Sequence, residues 1–298
     1  MLFRSQLIRI PMTAYHIPAL LKESVAGLNI RPEGVYVDVT YGGGGHSREI
    51  IRYLKKGKVY AFDQDEDAAR NAIKDDRFRL IRSNFRNIKN FMRYYQVDKV
   101  DGIIADLGIS FHQVDEPGRG FSFRSDEKID MRMNKSAAFS AENILNEYET
   151  KQLASILKEY GELDKAWQIA QTIVKERDVE KISTTGRLVE VLGKFVPRNQ
   201  ENKFFAKVFQ ALRIEVNHEM ESLKEFLLST LALINTGGRL VVISYHSTED
   251  RLVKNFMNSG NFEGHIEKDL FGNYSVPFRI INKKVIVPDQ DETIGRAH

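Results

Sequence analysis

Apolar residues run almost unbroken from Gly34 to Thr40, which predicts a strand buried in a parallel sheet. The next apolar positions, Ile50, Ile51 and Leu54, have helical spacing within His46 to Lys55, giving one β-α unit. The alternation continues. Lys58 to Phe62 is a short strand closed by Asp63, Asp67 to Lys74 a helix, Phe78 to Ile81 a weaker strand, Ile88 to Tyr95 a helix, and Val100 to Leu107 a strong strand. Strands alternating with helices imply a parallel sheet covered on both faces.

The rhythm breaks at Ile109. From there to Asn134 the chain is polar, with Pro117, Gly118 and Gly120 among the phenylalanines Phe111, Phe121 and Phe123, and no period is sustained. Such a stretch marks a long functional loop or an ordered connector. Ser140 to Phe195 is helical throughout, with breaks near Gly161, Ser183 and Pro197, so a small helical domain is inserted. Phe204 to Ile234 predicts one or two amphipathic helices. Gly237-Gly238 then turns into a buried strand reaching Tyr245, followed by a helix from Thr248 to Met257 and a final pair of strands within Val276 to Val287. The expected fold is α/β, a Rossmann-like sheet interrupted by a small α-helical domain. Residues 1–115 form the first part of the sheet domain, 116–205 the inserted connector and helical domain, and 206–298 the second part.

Composition narrows the class. Of 298 residues, 42% are apolar and 29% charged, an ordinary globular balance that excludes a largely disordered chain. The absence of cysteine excludes disulfides, thiolate zinc sites and cysteine nucleophiles together, and it suits a reducing cytoplasm. No metal is expected. Met1 to Met12 is interrupted by Arg4, Gln6 and Arg9, and no run approaches membrane-spanning length, so a cytosolic protein without a membrane partner is expected. A net charge of +3 is too small to announce a nucleic-acid binder, but the charge is uneven. Glu142 to Asp164 holds six acids against two lysines, whereas Gly186 to Arg213 holds six bases against two acids, either a basic stripe or a solvated helix face.

The chemistry gathers at strand ends. In an open parallel sheet, ligands sit beyond the carboxyl ends of the strands. Asp38 and the run Gly42-Gly43-Gly44-Gly45 close the first strand, Asp63 the second and Asp106 the fourth, while Phe85 follows the third and Tyr245-His246 a later one. Four consecutive glycines carry an entropic cost that a mere connection rarely needs, and they let a ligand lie against the main chain. Asp-x-x-x-Gly-x-Gly departs from the dinucleotide fingerprint because Ser47 stands where its third glycine belongs. Asp63, about twenty residues beyond the glycines, is placed to accept both ribose hydroxyls of a nucleoside.

Further motifs extend over most of the chain: Asp106-Leu-Gly-Ile-Ser110, Arg119-Gly-Phe-Ser-Phe123, Asp130-Met-Arg-Met133, Phe209-Gln-Ala-Leu-Arg-Ile-Glu-Val-Asn217, and Ser244-Tyr-His-Ser247 leading to Glu249-Asp-Arg251. With them the sequence resembles the MraW family, the bacterial small-subunit rRNA methyltransferases H. That resemblance implies a methyltransferase sheet that uses S-adenosylmethionine and carries a helical insertion. It also implies methyl transfer to the exocyclic N4 of a cytidine in the decoding centre of 16S rRNA. Carried over by position, the cofactor contacts fall on Gly44, Gly45, His46, Asp63, Phe85, Asp106 and Gln113. Asp106 is the first candidate to accept the N4 hydrogen bonds, and Tyr245, His246, Phe121 and Phe123 are candidates to stack on or bond to a flipped-out cytosine. Arg119, Arg124, Arg132 and Arg213 would contact phosphates or anchor the loop, with Arg187 to Lys207 an RNA-facing surface. The implied partner is 16S rRNA or the small ribosomal subunit, and a homodimer is left open. The sequence departs from the family pattern at Phe111-His112 and in the tail Glu292 to His298. A methyltransferase of the same fold acting on DNA or a small amine, and a non-catalytic RNA-binding assembly factor, are the competing readings.

Overall fold

The computed structural model describes residues 18–110, 113, 116, 118–266, 268–282 and 284–287. Met1 to Met12, Phe111-His112 and Glu292 to His298, all singled out in the sequence, lie outside these residues. Strands β1 (Val35–Asp38), β2 (Lys58–Asp63), β3 (Phe78–Arg82), β4 (Val100–Asp106) and β5 (Ile234–Ile243) form one sheet of order β3-β2-β1-β4-β5. All four neighbouring pairs are parallel, as the alternating pattern predicts. The strand order reverses between β1 and β4, which brings the glycine loop and Asp106 to the switch point.

Helices cover both faces. On one lie α1 (Leu21–Gly27) and α2 (Gly45–Tyr53), whose Leu28 cap and Ile50 pack with Tyr36, Ala61 and Ile104. On the other, α3 (Ile88–Tyr94) packs Ile88 and Met92 against Val37, Phe62 and Ile103. The helix expected over Asp67 to Lys74 is instead a 3-10 segment, Glu66–Asn71. Its last carbonyl, on Asn71, accepts the Tyr41 hydroxyl at 2.6 Å and an Arg48 guanidinium N–H at 3.3 Å, so no further helical turn uses it.

The insertion between β4 and β5 comprises α4 (Ala141–Glu147), α5 (Thr150–Glu159), α6 (Ala166–Arg177) and α7 (Thr185–Leu192), followed by α8 (Glu201–Val216) and α9 (Glu219–Leu233). Ile144, Leu153, Ile169 and Leu188 share a core of their own with Phe205, Val208 and Leu212 of α8. The expected junction at 205/206 therefore falls inside a helix whose apolar residues reach into that core. Met220, Leu223 and Phe226 of α9 return to the sheet.

Between Gly118 and Asn134 the connector is ordered, because Ile129 and Met131 are buried in the helical core and Lys128 bridges Thr184 in antiparallel fashion. α10 (Ser247–Ser259) follows β5 as expected. The final pair of strands expected within Val276 to Val287 does not form among the described residues. Phe278 packs on Phe256, but Ile280, Ile281, Val285 and Val287 are exposed and find no ladder to join. No helix among the described residues is long and apolar enough to cross a membrane.

Candidate active site

The first strand ends in a tight cradle. Buried Asp38 accepts the Ser47 hydroxyl at 2.7 Å and the Thr40 amide at 3.2 Å. Burial pushes its carboxyl upward and the nearby His46 pulls it back. Ser47, which broke the dinucleotide pattern, thus serves the acid beneath the loop. Gly42 and Gly44 have φ of 50° and 77°, and the Gly44 amide closes the turn onto the Tyr41 carbonyl at 2.7 Å. A Cβ on Gly44 would lie 2.6 Å from the Tyr41 ring, and one on Gly45 only 2.2 Å from Pro18. Side chains are excluded from this cradle, leaving main chain and the amino end of α2 to meet a ligand.

Asp63 sits beside it. One oxygen accepts the Gly42 amide and the other the Asp65 amide, each at 2.8 Å. Burial pushes its carboxyl up to about 6 despite these two bonds. The remaining lone pairs suit the two hydroxyls of a ribose.

Asp106 closes β4. Its backbone N–H donates to the Thr40 hydroxyl at 2.6 Å, which fixes the strand end against β1. One carboxylate oxygen accepts the Tyr245 hydroxyl at 2.8 Å, and the other lies 3.9 Å from His46 Nδ1. His46 itself is buried, its Nε2 placed 3.2 Å from the Ala19 carbonyl. The Tyr245 ring passes over Gly108, where a Cβ would come within 3.3 Å, yet it stays 56% exposed. An apolar face is thus held next to a carboxylate at the open end of the sheet.

The structure brings Gly44, Gly45, His46, Asp63, Asp106 and Tyr245 to this edge. It gives the other predicted residues different company. Phe85 stands after β3, edge-to-face with Phe226 at 5.5 Å. Gln113 is buried, donating to Asp65 at 3.0 Å and accepting the Ser110 amide at 3.2 Å. His246 caps α10 through Nδ1, and its Nε2 lies 3.1 Å from Glu249 rather than near Asp106. Glu219, His246 and Glu249 have the chemistry of metal ligands, but Arg213 already engages both oxygens of Glu219, at 2.9 and 3.0 Å. Phe121 is buried in the helical core, and Phe123 packs between Phe205 and Phe209.

Three of the four arginines singled out are anchors. Arg119 is buried and donates to Asp65 at 3.0 Å and Glu116 at 2.8 Å, Arg132 forks onto Asp130, and Arg213 onto Glu219. Arg124 is exposed. At the head of the basic segment, Arg187 is surrounded by Glu176, Glu180 and Glu190. Sequence reasoning missed Asp65, which holds Asp67, Gln113 and Arg119 together. Its signal was the Asp-x-Asp-x-Asp spacing from Asp63 to Asp67, a strand end running into a self-capped turn.

A parallel sheet with an acid and a glycine cradle after β1, an acid after β2 and an acid after β4 defines a Rossmann-like methyltransferase whose methyl donor is S-adenosylmethionine. The MraW methylase family profile matches residues 13–296, and the chain belongs to that family. It is 55% identical over 281 residues to "Ribosomal RNA small subunit methyltransferase H" of Bacteroides fragilis strain YCH46, covering 94% of this chain and 92% of that one. The protein of the same name from Cytophaga hutchinsonii is 56% identical over 280 residues, 93% of this chain and 94% of that one. Among solved structures, an rRNA methylase from Streptococcus thermophilus matches 29% of this chain and 51% of its own at 26% identity, with a TM-score of 0.24. That overlap is too slight to carry an argument.

Proposed function

We propose that this protein transfers a methyl group from S-adenosylmethionine to the exocyclic N4 of a cytidine in the decoding centre of 16S rRNA, in the cytoplasm. The observation that carries the reading is the Asp106 carboxylate, one strand from the glycine cradle and braced by the exposed Tyr245 at 2.8 Å. The names of the relatives support rRNA as the substrate class.

When bound, the cofactor supplies an electrophilic sulfonium methyl. The chain's own part is placement. Gly44, Gly45 and His46 would contact the cofactor at the cradle, Asp63 would accept its ribose hydroxyls, and Phe85 and Gln113 would flank it. Cytosine N4 is a weak nucleophile because its lone pair is delocalised into the ring. Asp106 accepting an N4–H would return electron density to that nitrogen and fix its approach for in-line attack. Once the methyl group has been transferred, the surplus proton on N4 passes to the same carboxylate. Tyr245, its hydroxyl on Asp106 and its ring open to solvent, would carry the flipped-out base.

Mass spectrometry of 16S rRNA nucleosides from cells with and without this protein tests the proposal. N4-methylcytidine disappears on deletion and returns with the wild-type gene but not with Asp106→Ala. An unchanged nucleoside profile would overturn it.

A further inference from the structure

Where the helical insertion meets the sheet domain there is a cleft of about 490 Å³ whose lining sets Lys158, Lys224 and Arg251 among the carboxylates of Glu159, Glu162 and Glu221, with Tyr160 and Thr248 beside them. It adjoins the candidate active site. Ser247, two positions beyond Tyr245, donates its hydroxyl to Glu162 on the cleft wall at 2.5 Å. Glu162 holds a left-handed backbone, φ 49°, and Gly161 before it has no room for a side chain, since a Cβ would meet the Leu157 carbonyl at 2.7 Å. The wall is a built turn aimed at the α10 end of the site.

Its cations are not tied up in ion pairs among the described residues. Arg86, Arg119, Arg132, Arg187 and Arg213 are all paired with carboxylates. Lys158, Lys224 and Arg251 make no ion pair among the described residues, although all three line one cleft. The Thr248 hydroxyl oxygen, in the first turn of α10, is buried without a hydrogen-bond partner. The amino end of that 13-residue helix adds its dipole. Burial and the carboxylates of Glu221, Glu215 and Glu159 push the Tyr160 hydroxyl up to about 12, so it stays a donor. The acids are partly spoken for: Glu159 accepts Ser155 and Glu162 accepts Ser247. A free anion would meet these acids. A nucleotide offers phosphate to the cations and a 2′-hydroxyl to the carboxylates, which the mixed lining matches.

We infer that this cleft is the subsite for a single-stranded rRNA nucleotide flanking the target, its phosphate held by Lys158 and Arg251 and bonded by Thr248. The inference rests on the reading of rRNA as substrate. The RNA strand would then run from the Tyr245 end of the sheet into the seam between the two parts of the molecule, so both parts grip one strand.

The test compares Lys158→Glu/Arg251→Glu with Lys22→Glu/Arg93→Glu, a control that makes the same charge change at exposed positions on α1 and α3. The probe is small ribosomal subunits purified from cells lacking this protein. The cleft variant binds them at least about tenfold more weakly than wild type, with the slope of log affinity against log salt reduced by about 0.7, the loss of one single-strand phosphate contact. Thr248→Val weakens binding by about tenfold or more, the worth of one hydrogen bond to a charged group. Cofactor affinity and melting temperature stay at wild-type values, because the reversed side chains are exposed. Equal binding by wild type and cleft variant, with wild type methylating the subunits, overturns the subsite alone. A cleft variant no weaker than the control also overturns it. Failure of wild type to bind or methylate the subunits overturns the functional reading, and this one with it.

Discussion

At the residue scale, the site is a set of aspartates held in different ways. At Asp63 burial outweighs two amide donors and pushes the carboxyl up to about 6. Only the ionised carboxylate has every lone pair free to accept. Above pH 6 the carboxylate is charged and the ribose hydroxyls find their acceptor; below it the acceptor is lost. Calorimetric titration with S-adenosylmethionine from pH 5 to 8 should show affinity falling as pH drops through about 6, and Asp63→Asn should bind weakly at every pH with no such inflection. An inflection that persisted in the variant would assign the titration to another group. The folded state raises this pKa, so the protein itself gains stability as Asp63 is protonated. Protonation of Asp63 therefore does not itself unfold the chain. Asp63, Asp106 and the glycines could be read from the sequence because each ends an apolar run. The role of Ser47 could not, and the local spacing around Asp65 signals only its cap on Asp67, since its hold on Gln113 and Arg119 is a contact with residues far along the chain.

At the scale of elements, the four strands of the first half were legible to within two residues or so, since buried parallel strands are simply apolar runs. The exceptions have tertiary causes. The helix expected after β2 shrank to a 3-10 segment because Tyr41 captured its terminal carbonyl, and the apolar residues past Phe278 form no strand because none of the described residues pairs with them. The connector from Gly118 to Asn134 has no period to read, yet it is ordered by side chains remote in sequence. Asn217, at the end of α8, accepts the Met133 amide at 2.7 Å and donates to the Met131 carbonyl at 2.8 Å. Asn217→Ala should therefore cost about 2–3 kcal/mol at roughly 1 kcal/mol per bond, measured by denaturant unfolding. Limited proteolysis should cut the variant first between residues 118 and 140. Cleavage spread evenly over the chain would show that the connector is held by other means.

At the scale of the whole molecule, one buried guanidinium joins the connector to the sheet domain. Arg119 lies against Asp65 and Asp67, all three buried, with Lys135 and Glu116 completing the network. Arg119→Met removes the charge and strands the Asp65 carboxylate, while Asp67 keeps Lys135, so it should cost about 3–5 kcal/mol and lower the melting temperature by roughly 6–10 °C. Asp65→Asn in the same background should recover part of that loss, because it removes the stranded charge. A melting temperature within 1 °C or so of wild type would show that the network is incidental. The insertion itself was visible as a break in alternation, but its core was not, because the helix that completes it, α8, also leads back to the sheet through α9. Two of the strand-end acids described above have a consequence for the cell. Asp63 and Asp106 set carboxylates beside the glycine cradle, and their charge at neutral pH would disfavour the polyphosphate tails of the common nucleotides relative to a ligand with an ammonium and a sulfonium centre. Discrimination between the methyl donor and competing nucleotides would then have an electrostatic part that rising salt weakens.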